Sequence, residues 1–142
     1  MKFSYTILYV KDVTQAVTFY EQAFSLRQRF IHESGQYAEM EAEGTTLAFA
    51  SNELARSHLP QGFQENNRSN LPAGIEIGFV TEDGSVAFTN AVNTGAVVVV
   101  EPKVKPRGQT VVYIRDLEGI LVEIASPMSN SKQKERLSYL SR

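Results

Sequence analysis

The sequence predicts an α+β fold of two tandem βαβββ modules, and three observations carry that prediction. Apolar spacing changes from two to about 3.6 residues and back, in the same order, twice along the chain. A stretch rich in Asn, Pro, Gly and Ser separates the two runs. Aligning two helix-capping aspartates, Asp12 and Asp83, which stand 71 residues apart, brings the runs into register.

Residues 3–10, FSYTILYV, alternate, with Phe3, Tyr5, Ile7 and Tyr9 on one face and Ser4, Thr6, Leu8 and Val10 on the other. The period changes at Asp12. Val13, Ala16, Val17, Tyr20, Ala23 and Phe24 then follow the stripe of an amphipathic helix, with Asp12 as N-cap and Gln15 completing a capping box. Three strand candidates follow at 26–33, 36–43 and 45–51, divided by Ser34-Gly35 and by Gly44. The first module is therefore residues 1–51.

Residues 52–72 have no clean period and read as a connecting segment. Such length inside a compact chain points to a join between modules or to a flap over a site. Phe63 is its candidate lid aromatic, or the anchor that pins it. The second module, residues 73–128, repeats the first. A strand at 74–80 is followed by a helix opened by Asp83 and closed by Gly95, then by strands at 96–102, 109–116 and 119–126. The alignment pairs Tyr5 with Glu76, Leu8 with Phe79 and Val17 with Phe88. Counting four residues on from the glycines that open the last strands pairs Ala48 with Glu123. The polar tail, 129–142, carries Leu137 and Leu140 three apart and reads as a short surface helix or a frayed end.

A chain of 142 residues with 42% hydrophobic content can bury a sizeable core without staples. Its 14 basic and 16 acidic residues form no long single-sign block, which argues against a nucleic-acid partner. The lack of cysteine excludes disulfides, thiolate nucleophiles and Cys-based metal sites, and fits a reducing cytoplasm. No apolar run approaches the roughly 18 residues of a membrane span, so no membrane partner is expected. Serine-hydrolase elbows, phosphate loops, dinucleotide fingerprints and zincin helices are all missing.

Two consecutive βαβββ modules, a first strand ending in V-x-D, a helix carrying Phe19-Tyr20, and the turn D-L-E-G (116–119) leading into V-E-I resemble the vicinal oxygen chelate superfamily. That group includes glyoxalase I, bleomycin-resistance proteins, fosfomycin-resistance enzymes and extradiol dioxygenases. The resemblance covers roughly residues 3–128. It implies curved mixed sheets around a ligand cavity, usually paired across a homodimer. It also implies four metal-ligand positions, most often His and Glu, at Tyr5, Ala48, Glu76 and Glu123. Only Glu123 carries what glyoxalase I carries there. His32 and His58 fall elsewhere in the pattern. No catalytic metal and no other cofactor is therefore expected, and no catalytic residue is assigned.

Glu123 on its own reads as an exposed strand residue, as Glu39 and Glu41 do. Alternation, however, sends Ile120, Val122 and Ile124 toward the helices and leaves Leu121 and Glu123 on the opposite face. The same logic sends Ile75, Ile77 and Phe79 inward and leaves Glu76 outside. Two carboxylates in one partly dehydrated hollow take up a proton or hold a cation. The candidate ligand-binding set is Tyr5, Ile7, Tyr9, Ala48, Glu76, Leu121, Glu123, Tyr113 and Arg107. The tyrosines would offer flat walls for an organic cation, or be ordinary sheet residues, and Arg107 would line the mouth or be a solvated loop residue. Together these predict a cytoplasmic, homodimeric protein that binds a small basic or aromatic molecule by sequestration, as resistance proteins do. The alternative is a metal-dependent lyase, isomerase or dioxygenase with an atypical Glu/Tyr/water site. A third reading is a scaffold for a partner protein.

Overall fold

The computed structural model describes residues 1–106 and 108–127. Its elements run β1 (Tyr5–Val10), α1 (Val13–Phe24), β2 (Arg27–Ile31), β3 (Tyr37–Ala42), β4 (Thr45–Ser51), α2 (Asn52–His58), β5 (Glu76–Val80), α3 (Gly84–Asn93), β6 (Val97–Val104), β7 (Thr110–Arg115) and β8 (Leu121–Ala125). The strands form two four-stranded mixed sheets of the same topology, β1-β4-β3-β2 and β5-β8-β7-β6, with only the β1–β4 and β5–β8 pairs parallel. The alpha-plus-beta architecture with two modules is thus the one the alternation implies.

Register carries the duplication further than counting did. Tyr5 lies opposite Thr46 and Ile7 opposite Ala48, while their counterparts Glu76 and Gly78 lie opposite Leu121 and Glu123. In the antiparallel pairs, Glu39 faces Ala48 just as Tyr113 faces Glu123.

Both long helices start on an aspartate whose side chain accepts an orphan backbone N–H: Asp12 from Gln15 at 3.0 Å and Asp83 from Val86 at 3.2 Å. A third helix, α2, occupies the start of the segment that shows no period. It is capped by Ser51, which accepts from the Leu54 N–H at 3.0 Å. Seven residues are too few for a stripe to stand out.

Helices α1 and α3 pack on each other between the two sheets, with α1 against β2, β3 and β4 and α3 against β8. One continuous core results. It joins Val17, Tyr20, Met40 and Phe49 to Ile114, Val122 and Ile124, with Ile77 and Phe79 at its border. Phe24 and Phe79 stack across the module boundary at 4.4 Å. Beside them Tyr20 donates its hydroxyl to Asp116 at 2.6 Å, and both are buried. Ile75 departs from the expected inward row. It lies ahead of β5, with its side chain exposed.

Candidate functional site

With the helices inside, each sheet turns its other row of side chains outward. On the second sheet, β7 sets Tyr113 beside Glu123, and the Tyr113 hydroxyl donates to Glu123 Oε2 at 3.1 Å. Glu76 sits on the same face one alternation step from Glu123, because it pairs with Leu121 while Gly78 pairs with Glu123. Strand spacing and rise put the Cα atoms of the two glutamates about 8 Å apart. A side chain at Gly78 would meet open space, so the ground beside Glu123 is clear. Exposed Val80 and Val100 border this face.

The outer face of the first sheet is more apolar. Tyr5 is 55% and Ile7 41% exposed. Tyr9 is half-covered by Phe63, whose ring meets it edge-on at 4.9 Å, and Asn66 Nδ2 ties the segment down by donating to the Tyr9 carbonyl at 3.0 Å. Phe63 therefore anchors the connecting segment at the end of this face.

Glu39 is not the simple exposed residue that its strand position suggests. Its side chain is only 17% exposed, and it accepts from Arg29 Nη1 at 3.1 Å and from the Tyr37 hydroxyl at 2.8 Å. Arg29 Nη1 also donates to Thr46 Oγ1 at 3.0 Å. Burial, then the bond to Glu39, pushes the Tyr37 phenol up to about 12. Alternation already put Tyr37 and Glu39 on one row. What it could not supply was Arg29, which arrives from β2 across a shifted register between Gln28 and Phe30. Each module thus carries a phenol-to-carboxylate bond on its outer face, and in the first a guanidinium balances the carboxylate.

The sequence-derived set accordingly divides. Tyr5, Ile7, Tyr9 and Ala48 lie on the first sheet, and Glu76, Tyr113, Leu121 and Glu123 on the second. The sheets stand back to back across the helices, so Tyr5 and Tyr9 do not surround the carboxylates within one chain. Arg107 and the tail lie outside the described residues. Four clefts, with volumes of about 570, 470, 350 and 290 Å³, are lined by none of the eight.

The four positions at which the superfamily holds a metal do not fit one here. Ala48 offers no donor, and Tyr5 offers only an exposed phenol in place of an imidazole or carboxylate. Among the described residues no three His, Asp or Glu side chains converge. No helix among them is long and apolar enough to cross a membrane.

A glyoxalase-like domain model matches residues 3–129. No curated protein sequence matches the chain. Among solved structures, a glyoxalase-related enzyme from Fulvimarina pelagi superposes with a TM-score of 0.75 at 15% identity, covering 89% of this chain and 88% of that one. A glyoxalase/bleomycin resistance protein/dioxygenase family enzyme from Burkholderia phytofirmans PsJN gives 0.73 at 17% identity, covering 87% and 96%. TioX from Micromonospora sp. ML1 gives 0.65 at 19%, covering 89% and 98%. These likenesses are of fold.

Proposed function

Since the chain belongs to the glyoxalase-like domain family, within the vicinal oxygen chelate superfamily, we infer that it binds a small basic or aromatic organic molecule without a catalytic metal. It does so as a homodimer, in which the first sheet of one protomer faces the second sheet of its partner. The observation that carries this reading is the pair of outward faces. One presents Tyr5 and Ile7 with a neutralised Glu39, and the other presents Glu76 and Glu123 beside Tyr113. Apposed, they would enclose an aromatic wall opposite two carboxylates. A cation sandwiched there gains Coulomb attraction and cation–π contact, the latter worth about 2 kcal/mol once water is excluded. Sequestration needs nothing more.

The family also contains enzymes, and two of the structural neighbours are described as enzymes. Metal content separates the readings. Protein purified without chelator should hold no stoichiometric transition metal, and its melting temperature should rise with ethidium, a cationic aromatic, but not with an anionic dye of similar size. Gel filtration at micromolar concentration should give a dimer. A stoichiometric metal lost in Glu123→Gln would replace this reading with the metalloenzyme one.

A further inference from the structure

One patch on the outward face of the second sheet is covered far more closely than its borders. Val111 and Ala125 pair with each other there, on the rows that carry Tyr113 and Glu123, yet they are 2% and 3% exposed. Val80, the neighbour of Ala125 on β5, is 66% exposed. Neither buried residue belongs to the core between the sheets. Among the described elements α3 packs on β8, and it does so from the core side. Neighbouring side chains explain burial of this kind on the first sheet but not here. Ala48 stands between Ile7 and Glu39, and Ala50 between Tyr9 and Tyr37, so taller residues close over a small one. Val111 stands between Ala125, which is smaller, and Lys103, which is exposed. A valine so placed stays wet unless something lies over it, and covering it is favourable.

Position, reach and charge point to the occupant. The chain leaves β8 at Ala125 itself, and Pro127, two residues on, is the last described residue before 128–142. Tethering at the rim of the patch gives that segment an effective concentration that a free partner lacks. Its reach suffices in any conformation. Even at a helical rise of about 1.5 Å per residue it spans about 22 Å, and a four-stranded sheet is about 14 Å across. Leu137 and Leu140 supply apolar side chains. Lys132, Lys134, Arg136 and Arg142, against Glu135 alone, complement a face that carries Glu76 and Glu123.

We propose that residues 128–142 dock on this patch, with Leu137 or Leu140 against Val111 and Ala125 and the basic side chains toward Glu76 and Glu123. The segment then walls one end of the outward face and shares its carboxylates. The docking is argued without the ligand proposed above. That a cationic ligand competes with the segment for the same charges is a consequence that rests on that reading.

The chain has no cysteine, so an engineered pair reports the contact by forming a disulfide. In the full-length protein, Val111→Cys and Ala125→Cys are each combined with Leu137→Cys and with Leu140→Cys. Gln22→Cys, exposed on α1, replaces the patch residue in the controls. Under diamide, at least one of the four pairs should close within one chain, at least tenfold faster than its control, as read by non-reducing gel and mass spectrometry. Adding Glu76→Gln/Glu123→Gln should slow that closure at least threefold. Leu137→Asp/Leu140→Asp, which alters no described residue, should lower the melting temperature, because it uncovers Val111. Closure no faster than the controls, or an unchanged melting temperature in the Asp variant, would overturn the proposal. Disulfides formed only between two chains would also overturn it, by assigning the cover to a second copy. A closure rate indifferent to the two glutamates would overturn the charge pairing.

Discussion

Tyr20 and Asp116 are 96 positions apart, and one hydrogen bond of 2.6 Å joins them. Asp116 is 2% exposed and also accepts from the Glu118 and Ile120 N–H groups at 2.9 Å each, so one carboxylate builds the β7–β8 turn and ties it to α1. Removing the phenol leaves a buried carboxylate short of a donor. Tyr20→Phe should therefore cost about 1.5–3 kcal/mol at pH 7, the range for a hydrogen bond to a charged group, as read by urea denaturation. Burial, then the Asp116 charge, raises the Tyr20 pKa well above 10.0. The folded pKa exceeds the unfolded one, so this contribution is full below pH 10 and is lost as pH climbs toward the folded value. Wild type should lose more stability than Tyr20→Phe above pH 10. Burial likewise raises Asp116 from 3.8 despite its donors. Its contribution is largest below that value and declines as pH rises through the folded pKa, a slope that Asp116→Asn should remove. Asp116 was legible in the sequence as a turn residue. Its partner was not, because nothing local marks a contact across modules. Glu39 was misjudged for the same reason, since its Arg29 is set by strand register. If Arg29 neutralises Glu39 in the ligand site, Arg29→Gln should tighten ethidium binding by roughly threefold, an effect under 1 kcal/mol.

At the scale of elements, period and caps located the eight strands and both long helices to within one or two residues. Alternation also identified the outward row of β8 without help. The connecting segment resisted reading because its structure depends on what it crosses. Arg115 reaches from β7 to the Gly119, Arg68 and Asn67 carbonyls at 2.8, 3.3 and 3.1 Å, and so clamps the segment onto the turn. Gly119 makes that crossing possible. Its φ is +88°, and a Cβ there would lie 2.7 Å from Arg115 Nη2 and 3.0 Å from the backbone of Asn67 and Arg68. Gly119→Ala should cost roughly 1–3 kcal/mol from backbone strain, and more from displacement of the segment. Limited proteolysis within 60–70 should accelerate in that variant.

For the whole molecule, the duplication predicts two similar halves but not how they face. Back-to-back packing follows from the helices, whose stripes complete one core only when they meet, as the Phe24–Phe79 stack and the Tyr20–Asp116 bond show. That packing turns Tyr5 and Glu123 outward on different sheets, which is why eight of the nine residues read from the sequence as one site divide in one chain. In the homodimer proposed above a second copy would reunite them, and each of the two sites would take one face from each protomer. Mixing subunits tests this most directly. Ile7→Asp would spoil the first-sheet face and Glu123→Gln the second, and neither variant alone should bind ethidium in a calorimetric titration. Re-equilibrated in equal amounts, they should recover about a quarter of the wild-type sites, because half the dimers are mixed and each of those has one intact site. Recovery of no sites, or undiminished binding by either variant alone, would contradict the shared site.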